Sequence, residues 1–205
     1  RTGVPHPESV AEHSFRVAML AMLYAPAENQ ALHQRGEAPL DVNKCIQIAL
    51  LHDMAEGIVG DLVVVGEAVN RDKITKAEKA KREAQAMENM LRAQRPDLID
   101  IWMEYETQNT PEARFVKDLD RLEMLIQADE YERGAGEKHI TDTSRKETTS
   151  STKCRDLTDF YRSTSGIFKS GVAKGIDALL RRRKNERDED SANGKKPRLE
   201  NTPEN

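Results

Sequence analysis

Apolar residues recur along most of this chain at the spacing of helices rather than strands. Val10, Phe15, Val17, Ala18, Leu20, Ala21 and Met22 predict a helix to about Tyr24, with Ser9 as N-cap and Glu12 as its capping-box partner. Pro26 is expected to end that helix, leaving Ala27 to Pro39 as an irregular connection. Asp41 is a candidate N-cap for a second helix over about Val42 to Ala55, and its apolar run from Cys45 to Leu51 implies burial. Gly57 and Gly60 are expected to break it. Leu62 to Val65 has strand composition but no evident partner, so an extended loop covering the neighbouring polar residues is expected. Thr75 to about Gln94 and Pro96 to about Tyr105 or Thr107 read as helices. Thr110-Pro111 opens another, with Pro at the first helical position. Its stripe is Phe115, Val116, Leu119, Leu122, Met124, Leu125 and Ala128. Leu157 to Phe168 is amphipathic, and Val172 to Leu180 adds a short helix. Gly134 to Lys153, rich in Ser, Thr and Lys, reads as a flexible insertion. From Arg181 the chain is charged and nearly free of apolar residues, which predicts a disordered tail. The reading is an all-α domain over residues 1–180 (core 7–169) and a tail over 181–205.

Composition narrows this picture. A chain of 205 residues with 37% hydrophobic content can bury one substantial core. Its net charge of −4 provides no general basic field, so stable nucleic-acid binding is not expected. Cys45 and Cys154 are too few for a disulfide framework and fit a reducing compartment. No apolar run approaches the roughly 20 residues of a membrane helix, and no signal peptide opens the chain. The expectation is therefore a soluble, intracellular, cytoplasmic protein. Two basic clusters, Arg181 to Lys184 and Lys195-Lys196-Pro197-Arg198, are candidates for a nuclear-localisation signal or a nucleic-acid contact, against the alternative of a solvated tail. The chain starts without Met, so residues are expected to be missing upstream.

The chemistry concentrates in Leu51-His52-Asp53-Met54-Ala55-Glu56 and Gly60-Asp61. On a helix, His52 and Glu56 are i,i+4 neighbours and Asp53 and Glu56 are i,i+3, so their side chains can converge. So many ionisable groups at the end of an apolar helix are costly unless they are paired or hold a cation. Imidazole with carboxylate suits Mn²⁺ and the transition metals better than Ca²⁺. Two further ligands must come from elsewhere. His13, on the polar edge of the first helix, and Asp120, between Leu119 and Leu122, are the candidates. Each also has a plain reading: a structural histidine, and an aspartate paired with Lys117 or Arg121.

The combination is more specific than its parts. The stretches Pro7-Glu8-Ser9-Val10-Ala11-Glu12-His13-Ser14, Leu51-His52-Asp53-Met54-Ala55-Glu56, Ile58-Val59-Gly60-Asp61-Leu62, Glu104-Tyr105-Glu106-Thr107-Gln108 and Phe115-Val116-Lys117-Asp118-Leu119-Asp120 carry a likeness spanning about Pro5 to Phe168. On them the chain resembles the HD-domain superfamily of metal-dependent phosphohydrolases, and within it the 5′-deoxynucleotidase family. The resemblance implies five or six core helices and a divalent cation, Mn²⁺, Co²⁺ or Mg²⁺, held by His13, His52, Asp53 and Asp120. Asp118 is then left free to face water. It also implies extra acidic positions at Glu56 and Asp61, which with the main-chain carbonyl of Leu62 hold a second cation in some members. The implied substrate is a deoxynucleoside 5′-monophosphate, and the implied assembly a homodimer. Glu56 is placed to move the proton of the attacking water, Asp61 to support it, and Lys117 to reach a phosphate oxygen or pair with a carboxylate. One departure stands out. Family members carry an Arg and a Trp before the first metal-binding His, whereas only Arg1 to Pro5 precede the matched segment here and the sole Trp is Trp102. That predicts a missing N-terminus or a weaker hold on the substrate. The rival readings are an HD-domain hydrolase of cyclic nucleotides or triphosphates, and a non-catalytic metal-binding helical module.

Overall fold

The computed structural model describes residues 8–60, 64–65, 68–69, 74–134 and 157–192. Among them the chain forms α1 (Val10–Gln34), α2 (Val42–Leu51), α3 (Glu56–Val59), β1 (Val64–Val65), β2 (Ala68–Val69), β3 (Ile74–Thr75), α4 (Lys76–Leu91), α5 (Asp97–Thr107), α6 (Pro111–Gly134), α7 (Thr158–Ser163) and α8 (Gly171–Ala192). The all-α class is observed, with one small addition. The strands are two residues each and pair antiparallel, Val64 with Val69 and Val69 with Ile74. The stretch expected as an unpaired extended loop thus finds a partner from sequence that follows it.

Local capping starts the helices where the pattern places them. Ser9 and Glu12 make the reciprocal capping box at α1. Asp41 accepts from the Lys44 amide at α2, and Thr75 from the Glu78 amide at α4. The helix ends are where tertiary contacts override local signals. Helix α1 does not stop at Pro26 but runs on to Gln34. Pro26 lies on its exposed side, where water can serve the carbonyl that proline leaves without a donor. The extension is held by burial: Glu28 accepts from the Val172 amide at the start of α8, and Asn29 bonds both backbone groups of Leu40. Helix α2 ends at Leu51, earlier than expected, before Gly57 and Gly60 act. Bonds from Met54 N to Leu51 O and from Glu56 N to Asp53 O tighten His52 to Ala55 into turns. Gly60 then ends α3 at φ 85°, a conformation that a side chain would strain.

The main core joins α1, α2, α6 and α8, with Val17, Ile48, Leu119, Leu122 and Leu125 fully enclosed. A smaller core gathers Leu51, Met87, Leu91 and Trp102 between α2, α4 and α5. Trp102 is consequently a packing residue.

Helix α8 corrects the reading of a tail disordered from Arg181. It continues to Ala192 because its charged residues pair with buried partners on α6. Arg187 donates to Asp129 and Glu132 at 2.6 and 3.0 Å, and Lys184 meets Glu132 at 3.0 Å. Arg181 donates to the Tyr161 carbonyl at 2.7 Å. Half of the first basic cluster is thus committed inside the fold. The insertion Gly134 to Lys153, Cys154 and the second basic cluster lie outside the described residues, apart from the end of α6 at Gly134. No helix among the described residues is long and apolar enough to cross a membrane.

Candidate metal centre

Three elements meet at the site. Helix α1 supplies His13, the turn after α2 supplies His52 and Asp53, and α6 supplies Asp120. His13 Nε2 lies 3.2 Å from Asp120 Oδ1 and 3.7 Å from Asp53 Oδ2. His52 Nε2 lies 3.2 Å from Asp53 Oδ2 and 3.9 Å from Asp120 Oδ1. An ion bound at about 2.0–2.2 Å needs neighbouring ligand atoms about 3–3.5 Å apart. One ligand atom each of His13, His52 and Asp120 lies within 4.8 Å of the other two, and Asp53 Oδ2 stands 3.2 Å from the His52 imidazole and 3.7 Å from that of His13.

The tautomers suit a cation too. A carbonyl can only accept, so the 2.7 Å contact from His52 Nδ1 to Ala49 O puts a proton on Nδ1. Nε2, on a ring 3% exposed, then points into the cluster without a well-aligned hydrogen bond. A buried, unprotonated imidazole nitrogen left in that state could hold a metal ion. His13 is arranged alike, with Nδ1 2.7 Å from the Glu123 carboxylate and Nε2 facing Asp120 and Asp53.

The surrounding charge calls for a positive centre. Burial pushes the His13 imidazolium down, but Asp120 and Glu123 outweigh it and raise its pKa to about 10. His52 is likewise raised against its burial, by Asp53 and Asp120. Burial lifts the Asp120 carboxyl, yet His13, Lys117 and His52 hold it well below the ordinary carboxylate range. Its second oxygen, Oδ2, accepts from Tyr105 Oη at 2.7 Å and Lys117 Nζ at 2.9 Å, which leaves Oδ1 to the cluster.

The other expected site residues are placed as follows. Lys117 takes the ion-pair alternative, bound to Asp120 and sitting 4.8 Å over the Tyr105 ring. Glu56 Oε1 accepts from Lys79 Nζ at 3.1 Å. Asp61 and Leu62 lie outside the described residues. Asp118, expected to face water, is 2% exposed and accepts from the Lys169 and Ser170 amides, both at 2.7 Å. It anchors the loop before α8 by accepting from these two backbone donors. Sequence reasoning missed Tyr105, Lys79 and Glu123. Glu123 carried a signal: a carboxylate on the apolar face of α6, one turn beyond Asp120.

An all-α bundle that brings two imidazoles and two aspartates together in one partly buried cluster defines a class: a helical domain with a mixed donor set that could hold a metal ion. The chain belongs to the HD-domain family, whose family model, described as an HD domain, matches residues 1–159. It is 38% identical over 169 residues to the human protein named 5′-deoxynucleotidase HDDC2, covering 80% of this chain and 67% of that one. The Xenopus laevis protein of the same name is 39% identical over 170 residues, covering 81% and 68%. A solved structure of a conserved hypothetical protein from Pyrococcus furiosus superposes with a TM-score of 0.63 at 30% identity, covering 88% of this chain and 87% of that one.

Proposed function

We propose that the chain is a metal-dependent 5′-deoxynucleotidase, hydrolysing deoxynucleoside 5′-monophosphates to deoxynucleoside and phosphate. One observation carries this reading: the His13, His52, Asp53 and Asp120 side chains converge in a chain whose relatives bear that name. In it, these four residues hold a divalent cation, and Glu56, Asp61 and the Leu62 carbonyl serve a second. The mixed imidazole and carboxylate set suits Mn²⁺ and transition metals such as Co²⁺ better than Ca²⁺. Such a cation offsets the charge of the phosphate dianion and makes water a better nucleophile.

The protein's own groups do the rest. The hydrogen bonds to Ala49 and Glu123 keep the two Nε2 atoms directed inward. Tyr105 and Lys117 fix the Asp120 carboxylate so that it does not rotate. Glu56 takes the proton of water as its oxygen bonds to phosphorus, and returns it to the 5′-oxygen as that bond to phosphorus breaks. Lys79 Nζ, 3.1 Å from Glu56 Oε1, holds that carboxylate in place. Lys117, one-third exposed, can meet a phosphate oxygen without leaving Asp120.

The test is phosphate release from deoxynucleoside monophosphates, compared with ribonucleotides, cyclic nucleotides and triphosphates, and run beside metal analysis. Wild type should hold metal and release phosphate from the monophosphates, while His52→Ala and Asp120→Asn lose both properties. Metal content with no turnover on any of these substrates would leave only the non-catalytic reading.

A further inference from the structure

Glu123 is 1% exposed, yet it is a carboxylate in the packed interface between α6 and α1. Its environment accounts for that position. Oε2 lies 2.7 Å from His13 Nδ1, and Oε1 lies 2.6 Å from Arg16 Nε. Arg16 is in turn held by two hydrogen bonds to Glu130, at 2.8 and 3.1 Å. Because Asp120 and Glu123 are separated by one helical turn, α6 presents one carboxylate to each ring nitrogen of His13.

We infer that Glu123 is a positioning residue of the metal centre: it fixes the His13 ring with Nδ1 protonated and Nε2 free to ligate, and raises the basicity of that nitrogen. The inference rests on the metal-centre reading above. The physical reason is general. A ligating imidazole whose far nitrogen donates to a carboxylate holds one tautomer and one orientation, and is a stronger donor for it. Arg16 meets the other oxygen of Glu123 from the far side of the carboxylate. His52 does the equivalent with a backbone carbonyl, so the two histidines are supported differently. Only the His13 support can be removed by a side-chain substitution.

The experiment is a Mn²⁺ titration of the full chain, reading free ion by electron paramagnetic resonance. Wild type, Glu123→Gln, Glu123→Ala and Glu130→Gln are compared at one pH, with thermal melting of each metal-free protein alongside. Glu123→Gln keeps an acceptor for Nδ1–H but loses the charge. It should weaken Mn²⁺ binding by about 10–100-fold, and Glu123→Ala should weaken it more. Glu130→Gln, which touches Arg16 but not His13, should bind as wild type does. Phosphate release by Glu123→Gln should recover largely at saturating Mn²⁺. Affinities of both Glu123 variants within twofold of wild type would overturn the inference. So would an equal loss in Glu130→Gln, which would trace the effect to the Arg16 bridge. A wild type that binds Mn²⁺ but hydrolyses none of the nucleotides would defeat the hydrolase reading alone, since the affinity ratios still decide the role of Glu123. A wild type that binds no Mn²⁺ overturns both.

Discussion

A carboxylate can serve this site in two ways, by offering an oxygen to the centre or by holding another group in place. Asp120 does both through its two oxygens, one toward His13 and His52, the other tied to Tyr105 and Lys117. The titration of the imidazoles follows from that crowding and has a definite sign. His13 has its pKa raised from 6.5 to about 10 in the metal-free protein, and an imidazole must be neutral to ligate. Metal uptake near pH 7 should therefore release at least one proton per ion, measurable by calorimetry in buffers of different ionisation enthalpy. The same shift makes His13 stabilise the metal-free fold fully below pH 6.5, with that contribution lost as pH rises through about 10. Chelator-treated protein should melt at lower temperature across that window, while its metal affinity increases. Glu56 makes a separate prediction. Its Oε1 is held by Lys79, so Glu56→Gln should retain the ion at the four-residue site. The same variant should lose about 10²–10⁴-fold in turnover, read as phosphate release at saturating metal.

At the scale of elements, the main helix starts were legible, whereas the ends of α1 and α2 were not. Ser9, Asp41 and Thr75 cap through bonds to amides three residues on, a purely local matter. The end of α1 is set by Glu28 and Asn29 reaching residues distant in sequence, which no window around Pro26 contains. Pro26 still forgoes a hydrogen bond within a continuing helix. Pro26→Ala should accordingly stabilise the protein by about 2 kcal/mol in urea unfolding, the helix gain of about 3 kcal/mol reduced by a more flexible unfolded chain. The turn after α2 shows the same division. His52-Asp53 stood out as a chemical pair, but the tightened turns that set both side chains toward α1 and α6 are a backbone outcome.

Across the whole molecule, α8 is fastened to α6 by charge as well as by apolar burial. Asp129, 1% exposed, accepts from Arg187 at 2.6 Å and pairs with Arg133 at 2.9 Å. Arg187→Ala leaves Asp129 with one partner and should cost about 1–3 kcal/mol, checked by the midpoint of chemical unfolding. A chain cut after Arg181 loses Lys184 as well and should be less stable still. Composition alone suggested a solvated tail there, because a run of Arg, Lys, Glu and Asp looks alike whether its partners are water or buried carboxylates.

The amino-acid pattern by itself determined the all-α class and the starts of the main helices, and it marked His13, His52, Asp53 and Asp120 as candidate ligands. These are properties of spacing and of side-chain type, which a linear chain carries. Packing alone decided which nitrogen of each histidine faces inward, that Asp118 anchors a loop while Asp120 joins the site, that Lys117 is paired, and that Glu123 stands behind His13. Those choices depend on which groups are excluded from water together, and that is settled only when α1, α2 and α6 close on one another.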